Sequence, residues 1–152
     1  MWPGVGAVQV ELELPGMLWV RAEEESALGS VRVGHGWHGV GADGRLTGVV
    51  ELALEPVLVG FPSDSDRSRG LAAAQRLERA TAARVREVRR ITPSDYEVRL
   101  APGGDRGPVV VHVRPQGSAA EAAWCIAFAG GNVVQSWADL RWGDRMVIGG
   151  DQ

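Results

Sequence analysis

Near its end the sequence reads ADLRWGDRMVIG over residues 138–149, and two short runs of strand-forming residues there flank Gly143-Asp144. Glycine at the first central position suits a two-residue type II′ turn, so the stretch predicts a β-hairpin. The second strand of this hairpin has no later strand in the sequence with which to pair. If it lies at the edge of a sheet, its N–H and C=O groups are available to another chain. The stretch therefore indicates a protein that binds a partner rather than one that transforms a substrate.

The composition restricts the class of protein. A length of 152 residues predicts one domain, or one domain and a fragment of another. The formal net charge of −3 does not favour binding to nucleic acid or to an anionic membrane. The sequence contains no apolar run of about 18 residues, so no membrane span is predicted. Residues 1–20 lack the positively charged N-terminal region of a signal peptide, so no signal peptide is predicted. Cys125 is the single cysteine, so no internal disulfide is possible, and we expect it to be a small buried apolar residue.

Runs of strand-forming residues between turn signals predict the strands. Residues 8–14, VQVELEL, show the period of a half-buried strand, and Pro15-Gly16 follows as a turn. Asp43-Gly44 marks a second hairpin turn. The predicted strands are 8–14, 17–22, 28–33, 37–40, 45–50, 56–59, 96–100, 109–113 and a terminal hairpin that begins at 133.

Two helices are predicted. Several N-cap side chains in 63–66 precede an Ala- and Arg-rich helix over 67–83. Ser118 and Glu121 form a capping-box pattern that begins a shorter helix ending at Phe128. The segment 84–91 fits either a continuing helix or a strand. The order of elements predicts an α+β fold with a mostly antiparallel sheet flanked by two helices, and most of the six tryptophans are expected in its core.

Four segments resemble, in order, the extracytoplasmic part of the bacterial cell-division family FtsQ, also called DivIB. Residues 8–24 resemble the last hairpin of its POTRA domain, and 36–46 resemble the first hairpin of its β domain, with Gly41 where an acidic residue is usual. Residues 57–60, a helix and 84–88 resemble the middle of that domain. The pair 139–142 and 145–148 resembles its closing hairpin. The resemblance implies a POTRA-like remnant over 1–27 and an FtsQ-like β domain over 28–152.

The resemblance also implies a function. FtsQ-like proteins are non-enzymatic scaffolds that hold the division proteins FtsB and FtsL and help control septal peptidoglycan synthesis. FtsB adds a strand to the closing hairpin, the mode that the last strand suggests by itself. The resemblance places the chain at the outer face of the bacterial cell membrane at the septum, single-pass anchored in its full-length form. The family's cytoplasmic tail, membrane helix and first part of POTRA have no counterpart in the sequence. No cofactor or metal is expected.

The candidate site is the terminal hairpin. A Gly143-Asp144 turn predicts that Trp142 faces Arg145, Arg141 faces Met146, Leu140 faces Val147, and Asp139 faces Ile148. Leu140 and Val147 would then face the core. The opposite face mixes charge with apolar bulk, as interfaces do, and Arg141 would pair with a carboxylate of the partner. The partner-binding residues are predicted to be Asp139, Arg141, Trp142, Arg145, Met146, Val147 and Ile148. The alternative is an ordinary edge strand protected by its charges.

Three other signals have simpler interpretations. His35 and His38 lie three apart, but no third ligand clusters near them, so a metal site is disfavoured. Asp64 and Asp66 resemble paired catalytic carboxylates, yet they stand where a helix needs caps. A local positive patch could be a solvated face balanced by Glu78 and Glu87, or could meet an acidic partner. This patch comprises Arg84, Arg86, Arg89 and Arg90.

The rival class is a pocket enzyme or small-molecule binder with the cone-shaped NTF2-like fold. Residues 124–128 and 130–134 would then be terminal strands joined by a turn. That fold needs a long N-terminal helix over the cone, and no helix is predicted before Ser63. A strand at 119–128 and a deep pocket with a buried Asp or His would favour this class.

Overall fold

A computed structural model describes residues 5–13, 16–101, 103, 107–118, 121, 125, 128, 137–142 and 146–149. These residues form a two-stranded sheet, a nine-stranded sheet and one continuous helix. The elements are β1 (Val5–Glu13), β2 (Met17–Glu24), β3 (Gly29–Val33), β4 (Gly36–Val40), β5 (Leu46–Val50), β6 (Val57–Val59), α1 (Asp64–Thr81), β7 (Arg84–Thr92), β8 (Asp95–Ala101), β9 (Val109–Val113), β10 (Trp137–Asp139) and β11 (Val147–Gly149).

The large sheet is mixed, so the predicted fold class was wrong. Its strand order is β11-β10-β9-β8-β7-β6-β3-β4-β5, and β10/β9, β7/β6 and β6/β3 are parallel neighbours. The expected arrangement of two helices flanking a mostly antiparallel sheet is not present in the described part of the chain, where α1 is the one continuous helix. Of the predicted second helix, the described Glu121, Cys125 and Phe128 are helical and buried.

The parallel pairing of β6 and β7 follows from the helix between them. A strand that leaves one end of a sheet can return in the same direction only through a crossover, which α1 provides. The ambiguous segment 84–91 is strand β7, with Val85 and Val88 facing the core and an irregularity in the ladder between Val85 and Glu87. The connection through α1 therefore decides the sheet's direction at this point.

Local chemistry sets the two ends of α1. The Ser63 hydroxyl accepts a hydrogen bond from the backbone N–H of Asp66 at 3.1 Å, which confirms the predicted N-cap region. The helix starts at Asp64, three residues before the predicted start. It ends at Thr81, and the C-cap residue Ala82 has a left-handed φ of 55° and donates its N–H to the carbonyl of Glu78. Leu71 and Leu77 lie on its buried face.

A single hydrophobic core lies between α1 and one face of the large sheet. Its largest fully buried side chains include Tyr96, Phe128 and Leu58. The tryptophans do not belong to this core, contrary to expectation, in the described part of the chain. Trp19 and Trp142 are exposed, and Trp37 and Trp137 are half-buried.

The β1–β2 hairpin is a separate two-stranded sheet with an exposed aliphatic face. Val10 pairs with Val20 and Leu12 with Leu18, and each of these side chains is 59–71% exposed. The prediction that this strand is half-buried was therefore wrong. The division between a unit at 1–27 and one at 28–152 stays a prediction, with β2 ending at Glu24. No helix among the described residues is long and apolar enough to cross a membrane.

Buried Arg67 fastens the β4–β5 turn to α1. Its Nε donates to the carbonyl of Gly44 at 2.7 Å, and its Nη1 donates to that of Phe61 at 3.4 Å. A third contact joins the guanidinium to Asp64. Gly44 has φ +85°, and a Cβ there would lie 1.8 Å from the carbonyl oxygen of Asp64. The close approach therefore requires glycine at this position.

A second link joins α1 to the chain after β9. Arg76 donates to the carbonyls of Pro115 and Arg114 at 2.8 and 3.0 Å, and to Glu121 at 3.0 Å. The backbone N–H of Glu121 donates to the Ser118 hydroxyl at 3.1 Å, so one half of the predicted capping box is confirmed. The Glu121 carboxylate accepts from the backbone N–H of Arg114 instead of completing the box. Burial raises the pKa of Glu121 despite these donors.

Candidate functional site

The predicted binding strand lies at an edge of the large sheet. β11 pairs with β10 on one side and is the terminal strand of the order, and β5 is at the opposite edge. Val147 is 41% exposed on β11, and Val49 is 75% exposed on β5. An edge strand presents a row of backbone donors and acceptors to which an added strand can bind.

The register of the terminal hairpin differs from the predicted one. Asp139 is opposite Val147, whereas the sequence-based prediction placed it opposite Ile148. Ala138 takes the place opposite Ile148. The predicted turn residues Gly143 and Asp144, and site residue Arg145, lie outside the described residues. Because side chains alternate between faces along a strand, a shift of one residue exchanges the faces.

The observed register reverses the faces on which the predicted partner-binding residues Met146, Val147 and Ile148 lie. Ala138 and Leu140 are fully buried, and Ile148 shares the face of Ala138. Met146 packs against the core as a partly buried residue. Met146 and Ile148 therefore lie on the core side of the hairpin, and Val147 lies on the outer face, the reverse of the prediction.

Arg141 is held by two acidic residues of its own chain. Its Nε and Nη2 donate to the two carboxylate oxygens of Asp139 at 2.8 and 2.6 Å, and its Nη1 lies 3.1 Å from Asp95. The hydrogen bonds from Arg141 hold the pKa of Asp139 below its usual value. The predicted pairing of Arg141 with a partner's carboxylate would have to compete with these two contacts or join them.

The ring of Trp137 covers part of the edge strand. Trp137 is opposite Gly149, and a Cβ added to Gly149 would lie 2.3 Å from the indole Nε1. The ring also meets His112 edge to face, with centroids 6.4 Å apart. Glycine thus permits the indole to lie across β11, the strand that a partner would meet. Trp142, a predicted site residue, is 54% exposed after β10.

Strands β7 to β10 carry charges of alternating sign on the outer face of the large sheet, a feature that the sequence interpretation missed. Glu87 is opposite Arg99, and Arg89 is opposite Glu97. His112 follows next to Glu97, with Asp139 beyond it on β10. Charged residues at every second position of 95–99 were a signal for such a face. Opposite charges on neighbouring strands stabilise the pairing.

The other signals of the sequence are accounted for by local structure. The described residues contain no cluster of three or more metal-ligating side chains, and His35 is exposed in the β3–β4 turn. Asp66 accepts a hydrogen bond from the hydroxyl of the N-cap residue Ser63, which agrees with the capping interpretation. Asp64 is not a cap and instead contacts Arg67 within the first turn of α1.

The four arginines of the positive patch have acidic partners. Arg84 and Arg86 both pair with Glu55, which the sequence interpretation did not name. Arg89 pairs with Glu87 at 3.1 Å, and Arg90 lies 3.9 Å from Asp66. Glu78, the other predicted counter-charge, instead accepts from the backbone N–H of Val85. These contacts favour the solvated, balanced face over an acidic-partner site.

The secondary structure of the described residues disfavours the NTF2-like alternative. It required a strand at 119–128, whereas the described Glu121, Cys125 and Phe128 are helical. The one continuous helix among the described residues follows six strands rather than preceding them. These observations favour a binding surface over a covered cone.

No protein-family model matches the chain, and the comparison with curated proteins likewise found no match. The resemblance to the FtsQ/DivIB family therefore stays a prediction.

Proposed function

We propose that the chain is a non-enzymatic binding scaffold that accepts an extended segment of a partner at the edge of β11. The observation that supports this proposal most directly is the position of β11 at the end of the nine-stranded sheet. Its exposed Val147 projects on the outer face, beside the Trp137 ring that lies across Gly149. An added strand would gain main-chain hydrogen bonds from the edge and side-chain contacts from this face.

The resemblance described above supplies the proposed partners. On this proposal the partners are FtsB-like and FtsL-like division proteins, and the scaffold helps regulate septal peptidoglycan synthesis. It would act at the outer face of the bacterial cell membrane at the division septum. The fold supports the edge-binding mode, and the identity of the partner rests on the sequence resemblance.

The hairpin register determines which substitution tests the proposal. Met146 packs against the core, so a charge there would report on folding as well as on binding. Arg141 has two internal partners, so its removal also perturbs the protein itself. Val147 avoids both problems because it is exposed on the edge strand. Lysine at an edge discourages strand addition without entering the core.

The experiment compares Val147→Lys with Val49→Lys, the matched change at the opposite edge of the same sheet. Calorimetry would measure binding of the extracytoplasmic segment of the FtsB-like protein from the same genome. We expect Val147→Lys to weaken binding at least about tenfold, and Val49→Lys to change it less than about twofold. Equal affinity for all three proteins would overturn the proposed edge, and no binding to folded native protein would overturn the proposed partner.

A further inference from the structure

A polar groove lies where the β7–β8 turn and the chain after β9 approach the N-terminal half of α1. Its cavity volume is about 380 Å³. It is distant in sequence from β11, and nothing in the proposed scaffold function uses it. The lining residues are Arg69, Pro93, Ser94, Arg114, Pro115, Gln116 and Gly117.

The groove is positively charged. Two of its lining residues, Arg69 and Arg114, are arginines, and none of the lining residues that the structure describes carries a carboxylate. In the described part of the chain, neither guanidinium makes an ion pair or a hydrogen bond. At longer range the charge of Arg69 helps to lower the pKa of Asp66, and the charge of Arg114 opposes the rise that burial causes in the pKa of Glu121. Two arginines whose side chains make no ion pair among the described residues therefore line one concave surface.

Hydrogen bonds to the backbone hold the wall of the groove that is formed by residues 114–117, after β9. Arg76 binds the carbonyls of Arg114 and Pro115, and Glu121 binds the backbone N–H of Arg114. Gly117 has φ +58°, and a Cβ there would lie 2.5 Å from Cζ of Arg76. The absence of a side chain at Gly117 thus lets the Arg76 guanidinium support the loop directly.

The opposite wall is a turn closed by its own side chains. The backbone N–H of Ser94 donates to the Thr92 hydroxyl at 3.2 Å, and that hydroxyl donates to Asp95 at 3.0 Å. The Ser94 hydroxyl lies 3.2 Å from the same Thr92 oxygen. Because both walls are already ordered, a ligand would not have to order them on binding.

We propose that this groove binds a phosphate monoester, with Arg69 and Arg114 receiving the dianionic phosphate group. Guanidinium groups present paired N–H donors that match phosphate oxygens, and two of them balance a double negative charge. Ser94 and Gln116 offer further polar groups for the rest of the ligand. The cavity is larger than a single phosphate group requires, so an esterified phosphate fills it better than the free ion.

The test measures binding of three probes at constant ionic strength by NMR chemical-shift titration. The probes are phosphoserine, inorganic phosphate and glutamate, which separate an ester from the free ion and phosphate from carboxylate. We expect phosphoserine to bind most tightly and to shift the signals of residues 93–94 and 114–117. Arg69→Gln and Arg114→Gln should each weaken its binding at least about fivefold.

The matched control is Arg99→Gln, an exposed arginine on the outer face of β8 that lies opposite Glu87 but makes no ion pair within the described residues. It should change phosphoserine binding less than about twofold. Equal weakening by all three substitutions would overturn the proposal, since it would indicate general attraction to a basic surface. Equal affinity for the three probes, or no shift at about 50 mM phosphoserine, would also overturn it. The side chains of both groove arginines make no ion pair with a described residue, and circular dichroism would verify that their variants retain the fold.

Discussion

Arg141 and Asp139 form a two-point ion pair, with Nη2–Oδ2 and Nε–Oδ1 distances of 2.6 and 2.8 Å. They stand only two residues apart, one in β10 and one just beyond it. Asp95, at the start of β8, completes the cluster from two strands away. The residue predicted to bind a partner's carboxylate is thus first a structural link within the sheet.

Arg141→Ala should therefore lower the stability of the free protein. It removes a charge-assisted, two-point contact between partly buried groups, so we expect a loss of about 1–2 kcal/mol in the free energy of unfolding. Urea denaturation measures the change. Arg89→Ala is the control, because its pair with Glu87 involves a more exposed arginine, and it should cost less than about 0.5 kcal/mol. Equal losses in the two variants would contradict the structural role of Arg141.

Asp139 should contribute to stability in a pH-dependent way. Its folded-state pKa lies below the reference value of 3.8, mainly because of the Arg141 hydrogen bonds. The unfolded chain then binds this proton more readily, so the contribution is present above about pH 4 and is lost as pH falls through the folded-state pKa. Asp139→Asn should flatten the loss of unfolding free energy between about pH 4.5 and pH 2.5. Parallel curves for native protein and variant, measured by urea denaturation, would refute this linkage.

Arg67→Ala should destabilise the protein more than any change at an exposed arginine of α1. The substitution leaves the carbonyls of Gly44 and Phe61 without their donor and opens a buried space. We expect a loss of about 2–4 kcal/mol, seen as a lower urea midpoint. Arg79→Ala on the same helix loses one exposed bond to a backbone carbonyl and should cost less than about 0.5 kcal/mol. A small effect of Arg67→Ala would show that the β4–β5 turn holds its position without this residue.

Cys125 should be unreactive toward thiol reagents in the folded protein. Burial raises the pKa of its thiol to about 12, so the reactive thiolate is scarce at neutral pH and the sulfur is shielded. Ellman's reagent should label the native protein at least about a hundredfold more slowly than the urea-unfolded protein. Rapid labelling of native protein would place Cys125 at the surface.

Local sequence patterns predicted part of the candidate site. The final hairpin was visible in residues 138–149, and its second strand, β11, does lie at an edge of the nine-stranded sheet. Which side chains of that hairpin face the core was not predictable, because this depends on the pairing register of its two strands. The assumed Gly143-Asp144 turn gave a register that differs by one residue from the observed pairing. Since alternation has a period of two, this single step moved Met146 to the core side and Val147 to the outer face.

The sequence by itself determined the local elements of this protein. Ser63 caps α1 through its own side chain, and the valine-rich run Val109–Val113 favours a strand by its β-branched composition. Such features need only neighbouring residues, so their physical causes are readable from the sequence. Only the tertiary structure decided the sheet order, its parallel pairs and the partners of Arg141. The sheet order, the parallel pairs and these partners depend on which strands, distant in sequence, become neighbours after the α1 crossover. The packing of the complete core decides which strands become neighbours.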